Sequence, residues 1–301
     1  MKRILLGAAL LAALMAAAAG LIACGSSSSD DGAAASPSAA AEDPTAIATK
    51  ILGHAPSGLA AEIAQRGSVV VANAASYPPF SYIDDNGVMV GFDVDVAQGM
   101  ADMLGLKLEQ KQPSWDSIPT GLATGRFDVC IASMTNTAER SKALDFTAPY
   151  YWAPAQMAIQ QDGEPVTSPD QLSGQTVAVA AQTTYYYWLD DNVKDVDIKT
   201  YPTDAEGMQE VERSRADVYI GSAIAVTSAI SSGSKLELSG DPLFYENCSF
   251  AVKKGEADWL SLLDYTVSQM RADGYLKAKS ELWINGLDLT AEPPAGKDLQ
   301  L

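Results

Sequence analysis

Histidine is almost missing from this 301-residue sequence, His54 being the only one, and cysteine occurs three times. With no second histidine and no zinc-type cysteine spacing, the chain lacks the ligands of a transition-metal site, and neither a metal nor a cofactor is expected. Positive charge is scarce too. The 20 Lys and Arg against 38 Asp and Glu leave a net charge of -18, which argues against nucleic acid or an anionic membrane surface as partner of the folded part. Net charge describes the whole surface and does not fix the sign of a cleft. Beyond the N-terminus no apolar run is long enough to cross a bilayer, so a receptor with a membrane helix after its ectodomain is not expected.

What the N-terminus does contain is an export signal. Lys2 and Arg3 precede an uncharged apolar stretch, Ile4 to Ile22, that ends in Leu21-Ile22-Ala23-Cys24. The ending resembles a bacterial lipobox and implies a signal peptide over 1–23, cleavage before Cys24 and acylation of its thiol, hence a lipid anchor outside the cytoplasm. Loss of Lys2 and Arg3 would take the charge to -20. Gly25 to Thr49 is rich in Ser, Ala, Asp and Pro with few large apolar side chains, so 24–55 reads as a flexible tether. Cys130 and Cys248 each sit in an apolar run, where a disulfide and a pair of buried thiols are both open.

The remaining chain, about 250 residues, exceeds what one compact core usually holds, and two lobes are expected. Ser68 to Ala74, Leu106 to Lys111 and Phe127 to Ala132 read as strands, and they alternate with helices over Gly91 to Leu104 and Trp115 to Thr124. The order restarts with strands at Thr176 to Ala180, Ile198 to Tyr201 and Asp217 to Ile220, a helix opened by Thr184, and a capping box at Thr203-Asp204-Ala205-Glu206. A strand Ser249 to Lys253 and an amphipathic stretch Trp259 to Met270 complete the pattern. The fold expected is α/β, with two α/β sheets joined by a two-strand hinge. Its parts would be lobe 1 over 56–155, lobe 2 over 156–247, a return to lobe 1 over 248–290 and a tail over 291–301. The crossings would lie near Tyr151 to Met157 and Tyr245 to Phe250.

The segment Ala132-Ser133-Met134-Thr135-Asn136-Thr137-Ala138-Glu139-Arg140 is the most informative one. It places hydroxyls, a turn with free backbone N–H groups and a guanidinium just past the end of a strand, where open α/β sheets bind ligands. Arg140 offers two parallel N–H donors that match a carboxylate; a surface residue paired with Glu139 or Asp145 is the equal alternative.

Four pieces in register, Tyr77-Pro78-Pro79-Phe80, Gly91-Phe92-Asp93-Val94-Asp95, Ser133 to Arg140 and Asp145-Phe146-Thr147-Ala148-Pro149-Tyr150, resemble the family 3 (polar amino-acid) solute-binding proteins. The resemblance runs from about Val69 to Trp283 and implies the type II periplasmic-binding-protein-like fold. It also implies that Arg140 clasps a ligand carboxylate with help from Thr135 and Thr184, and that Tyr77 and Trp115 sandwich the ligand. Ser133, Met134, Thr183, Tyr185 and Ser222 match further substrate-binding positions. The acids of Gly-Phe-Asp-Val-Asp read as structural, since they complement a helix N-terminus. Three departures stand out: Ser222 where relatives place the aspartate that pairs with the ligand ammonium, Ala74 where relatives selecting basic side chains have an acid, and Gln182 where a glycine is usual. Another acid such as Glu246 would have to substitute, or the ligand would lack an ammonium there. On this pattern lysine, arginine and histidine are expected to be poor ligands.

The function implied is the extracytoplasmic substrate-binding component of an ABC importer. It would act as a monomer that closes around an amino acid or related small carboxylate and presents it to a permease. The alternative is a cyclohexadienyl or arogenate dehydratase-like enzyme on the same fold. Such chemistry needs a general acid in the cleft and no motif supplies one, so no enzyme activity is expected. A stand-alone ligand-sensing lipoprotein is the third reading.

Overall fold

The computed structural model describes residues 42–293, so the signal segment, Cys24 and the last eight residues lie outside it. Part of the expected tether is a helix. α1 (Pro44–Leu52) starts on a proline and stops at Gly53, whose φ of 77° is left-handed. Its Ile47, Ile51 and Leu52 recur at helical spacing and pack on the main apolar core, a pattern hidden in the surrounding Ala, Ser and Pro. Next come α2 (Gly58–Arg66), β1 (Ser68–Ala72), a small ribbon of β2 (Ser76–Tyr77), β3 (Ser81–Ile83) and β4 (Met89–Val90), then α3 (Phe92–Met103), β5 (Lys107–Lys111), α4 (Ile118–Ala123) and β6 (Val129–Thr135). β7 (Leu144–Phe146) leads into the long β8 (Tyr151–Gln160).

The second half repeats the plan with β9 (Thr176–Ala180), α5 (Thr184–Asn192), β10 (Asp197–Tyr201), α6 (Asp204–Glu212), β11 (Val218–Ser222) and α7 (Ala223–Ser231). The chain returns through β12 (Leu236–Lys253) to α8 (Ala257–Ala272) and α9 (Tyr275–Trp283). The capping box at Thr203 and Glu206 is present as expected, both reciprocal bonds included.

Each lobe carries a parallel trio, β5-β1-β6 in the first and β10-β9-β11 in the second. The hydrogen-bond network does not stop between them. β8 and β12 are long enough to pair in both lobes, antiparallel to each other and to β11 and β6, so the expected pair of sheets is joined into nine strands. The cores stay separate: Val69, Val71, Met100, Ile131 and Phe250 belong to a first-lobe cluster, and Val177, Val179, Tyr185, Ile220 and Phe244 to a second-lobe one. The inner strands β1, β6, β9 and β11 are buried on both faces because helices cover both, whereas the outer β5 and β10 are polar and partly exposed. Burying a large aliphatic side chain stabilises by roughly 1.5–3 kcal/mol, so each cluster can hold its own lobe.

Two local features position the cleft. Gly91, before α3, has a φ of 133°, and a Cβ there would lie 2.2 Å from the Phe80 carbonyl oxygen. Only glycine lets the β2–β4 ribbon sit this close to α3. The thiols of Cys130 and Cys248 are free and buried, on β6 and β12, where Cys248 faces Thr135 and Cys130 faces Ala251.

Candidate functional site

A cavity opens between the lobes at the carboxyl ends of the parallel strands. The first lobe contributes Ala74, Ser76 and Tyr77 after β1, Trp115 before α4, Ala132, Ser133 and Thr135 from β6, and Arg140. The second contributes Ala180, Thr183, Thr184 and Tyr185 where β9 becomes α5, and Pro202, Thr203 and Asp204 where β10 becomes α6. Glu246 enters from β12.

Arg140 lies in a short 3-10 turn just past β6. Its Nη1 donates to the Thr135 carbonyl at 3.0 Å and its Nη2 to the Gln182 carbonyl across the cleft at 3.3 Å, while its guanidinium carbon stands 5.4 Å from the Trp115 ring centroid. The surface pairings open in the sequence are taken by other residues, Glu139 by Lys142 and Asp145 by Lys254. Burial pulls the guanidinium below its ordinary pKa, opposed chiefly by the negative charge of Glu246. With five N–H donors, such a group can still take both oxygens of a carboxylate.

Glu246, the acid named above as a substitute for the aspartate missing at Ser222, lines the cavity. It is 5 % exposed, and in the β12–β8 ladder it faces Ala153. Its Oε1 accepts from the Thr135 hydroxyl at 2.8 Å and from the Thr184 hydroxyl, and its Oε2 from the Tyr185 hydroxyl. Hydroxyls from both lobes thus converge on one hinge carboxylate. Asp204, read in the sequence only as part of a capping box, is a second acid in the cavity. Its Oδ1 accepts from the Tyr219 hydroxyl, and burial pushes its carboxyl up to about 6, against the Tyr219 bond and with help from the charge of Glu246.

The aromatic walls are where the sequence put them. Tyr77 stacks on Phe80 at 5.1 Å, and its hydroxyl lies 3.5 Å from that of Tyr185 in the opposite lobe. Trp115 Nε1 donates to the Gln182 carbonyl at 3.3 Å. Gln182 keeps a left-handed φ of 59°, so the backbone shape usual for glycine survives the substitution and its carbonyl reaches both Trp115 and Arg140. These bonds hold the lobes in a closed arrangement.

Ser133 is fixed from behind: its hydroxyl donates to Asp93 Oδ2 at 2.8 Å and its N–H to the Tyr150 hydroxyl at 3.0 Å, which in turn donates to Asp93 Oδ1 at 2.6 Å. Burial raises Asp93 to about 7 despite those bonds. Asp95 serves the first lobe, accepting from Trp283 Nε1 at 2.9 Å and pairing with Lys279 at 2.9 Å. Thr183 caps α5, accepting from the Tyr186 N–H. Two of the expected residues stand off the inner wall. Met134 is buried and lines an outer space with Trp115, Arg140 and Tyr187. Ser222 is fully buried at the start of α7, where its hydroxyl accepts from the Ile224 N–H at 3.2 Å.

Comparison with known proteins places this geometry. The chain is 32% identical over 238 residues to the L-cystine-binding protein TcyJ of Escherichia coli, covering 78% of this chain and 89% of that protein. It is 34% identical over 228 residues to the probable amino-acid-binding protein YxeM of Bacillus subtilis, covering 74% and 85%. Among solved structures, an ancestral arginine-binding protein bound to arginine superposes with a TM-score of 0.70 at 30% identity, over 72% of this chain and 98% of that one. The ancestral amino acid-binding protein AncCDT-1, a precursor of cyclohexadienyl dehydratase, gives 0.70 at 32% identity, over 74% and 98%. These are type II periplasmic binding proteins, and the two-lobed frame here is theirs. Since residues 69–286 match the family as a unit, from β1 through the last helix, the chain belongs to the bacterial extracellular solute-binding proteins, family 3.

Proposed function

We propose that this protein is the extracytoplasmic substrate-binding component of an ABC importer, and that it closes its lobes around an amino acid or a closely related small carboxylate. The observation that carries the reading is Arg140 set in the interlobe cavity, with a hinge carboxylate, Glu246, on the same wall. An α-amino acid presents a carboxylate and an ammonium on one carbon, and a guanidinium and an acid lining one cavity complement that pair. Tyr77 and Trp115 supply faces that pack on aliphatic groups and attract cations. Ser133, Thr135, Thr183, Thr184 and Tyr185 surround the polar end, and Ser222 and Met134 support the wall from behind.

Cys24 would carry the lipid anchor, leaving 25–43 to span the distance to the first helix while the closed form meets a permease. Calorimetry of the full chain, unfolded and refolded to strip carried-over ligand, against the common amino acids tests the reading. At least one should bind in the micromolar range, and absence of binding by all of them would reject it. Asp204 is an ionisable acid in the cleft, as a dehydratase would need, so the same protein should be incubated with prephenate and arogenate. No turnover is expected, and product formation would establish the enzyme reading instead.

A further inference from the structure

The inner cavity holds one basic side chain, Arg140, and two acids, Glu246 and Asp204. Among the described residues neither acid forms an ion pair with a Lys or Arg. If the cleft takes an α-amino acid as proposed above, the carboxylate occupies Arg140. The ammonium, one carbon away, then falls to Glu246, because Glu246 is tied to Thr135, whose carbonyl also holds Arg140. That leaves Asp204 facing the ligand without a counter-charge.

Its surroundings suit a cation and little else. Asp204 opens α6, which packs on the β2 segment, and it shares the cavity lining with Ala74, Ser76, Pro202 and Thr203. Ala74 and Ser76 give that lining two small side chains. Tyr219 gives Asp204 one hydroxyl bond, and Tyr77 lends an aromatic face along the route. A zwitterion would leave the cavity with one unpaired negative charge in a place poorly served by water; a ligand with one further positive charge would neutralise it. The acids missing at Ala74 and Ser222 are thereby supplied from other elements, which removes the ground for expecting cationic amino acids to be rejected.

We propose that Asp204 is a specificity-determining residue that receives a second cation on the ligand, and that the preferred ligands are amino acids with a positively charged side chain. The inference rests on the amino-acid reading of the cleft but can fail without it. The test compares arginine with citrulline, which has nearly the same shape and a neutral end, by calorimetry on the stripped full chain. Wild type should bind arginine at least about tenfold tighter than citrulline, the scale of one desolvated charge pair. In Asp204→Asn, which keeps an oxygen for the Tyr219 hydroxyl, the ratio of arginine to citrulline affinity should fall within about threefold. A ratio that persists in Asp204→Asn would remove Asp204 from the role. Wild type that binds citrulline or other neutral amino acids as well as arginine would overturn this inference alone, and wild type that binds no amino acid would overturn the function with it. Should Asp204→Asn fail to fold, the wild-type ratio together with Asp204→Ser decides the same question.

Discussion

Replacing Glu246 by Gln removes one charge from the cavity and almost nothing else. The amide oxygen can still accept from the Thr135 and Thr184 hydroxyls, and the amide nitrogen can donate to the Tyr185 oxygen once that hydroxyl turns, so the contacts across the hinge are preserved in number. What is lost is the charge-assisted bond to a ligand ammonium. Hydrogen bonds to charged groups contribute about 1.5–3 kcal/mol, which converts to a loss of roughly 10- to 140-fold in affinity. The relief of repulsion on Asp204 should return a little of this, since the charge of Glu246 is one of the influences holding that carboxyl high. Calorimetry should compare an α-amino acid that binds wild type with its α-hydroxy counterpart, which keeps the carboxylate for Arg140 and has no ammonium. The amino acid should lose affinity on that scale, while the hydroxy acid should change by less than about threefold or improve. Equal losses for both ligands would show that Glu246 acts through the fold and not through the ammonium, and the assignment would fall.

Arg140→Ala should weaken binding of every carboxylate ligand by about 2–4 kcal/mol, the scale for a desolvated pair losing one partner, with an unfolding midpoint close to wild type; affinity within threefold of wild type would displace the carboxylate site. Trp115 lies on the cavity wall against Arg140, so its fluorescence should respond to ligand, and a Trp115→Phe variant that keeps the full spectral change would assign the signal elsewhere. Asp93 has a folded pKa raised above its unfolded value, to about 7, mainly by burial, so its contribution to stability is full below about 3.8 and is lost as pH rises through about 7. Denaturant titrations should therefore show wild type losing stability relative to Asp93→Asn between pH 4 and 8, and parallel curves would contradict the raised value.

Periodicity and capping made much of the scaffold readable. β9 was visible as Thr176 to Ala180, and α6 announced itself through Thr203 and Glu206. Both crossings appeared because an apolar strand follows each lobe's last helix or turn. The elements that escaped are those whose signal is short or masked: a ribbon of two- and three-residue strands, and α1 within a Ser- and Ala-rich stretch. In the site, the resemblance in Ser133 to Arg140 pointed to Arg140, which lines the cavity, whereas the acids could not be ranked. Whether Ser222, Glu246 or Asp204 reaches the cavity depends on the β12–β8 register and on the approach of α6 to the ribbon, and both are long-range facts that no local pattern encodes. Asp204 was doubly concealed, because an acid in a first helical turn already has a sufficient local reason to be there.

The position of Glu246 in the β12–β8 ladder has a mechanical consequence. When two bodies turn about a pair of crossing strands, points on those strands are displaced least and points far out on either lobe most. The pairing of Phe244 to Cys248 with Ala155 to Tyr151 runs without a register shift through Glu246. Thr135 is held beside this carboxylate by the pairing of β6 with β12, whereas Thr184 and Tyr185 of the second lobe would swing toward it as the molecule shuts and away as it opens. Glu246 is then a stationary mooring post. On the proposed reading, an incoming solute would meet it at the same place in the open form as in the shut one, and the outlying second-lobe hydroxyls and the Gln182 carbonyl would let go before this anchor is vacated.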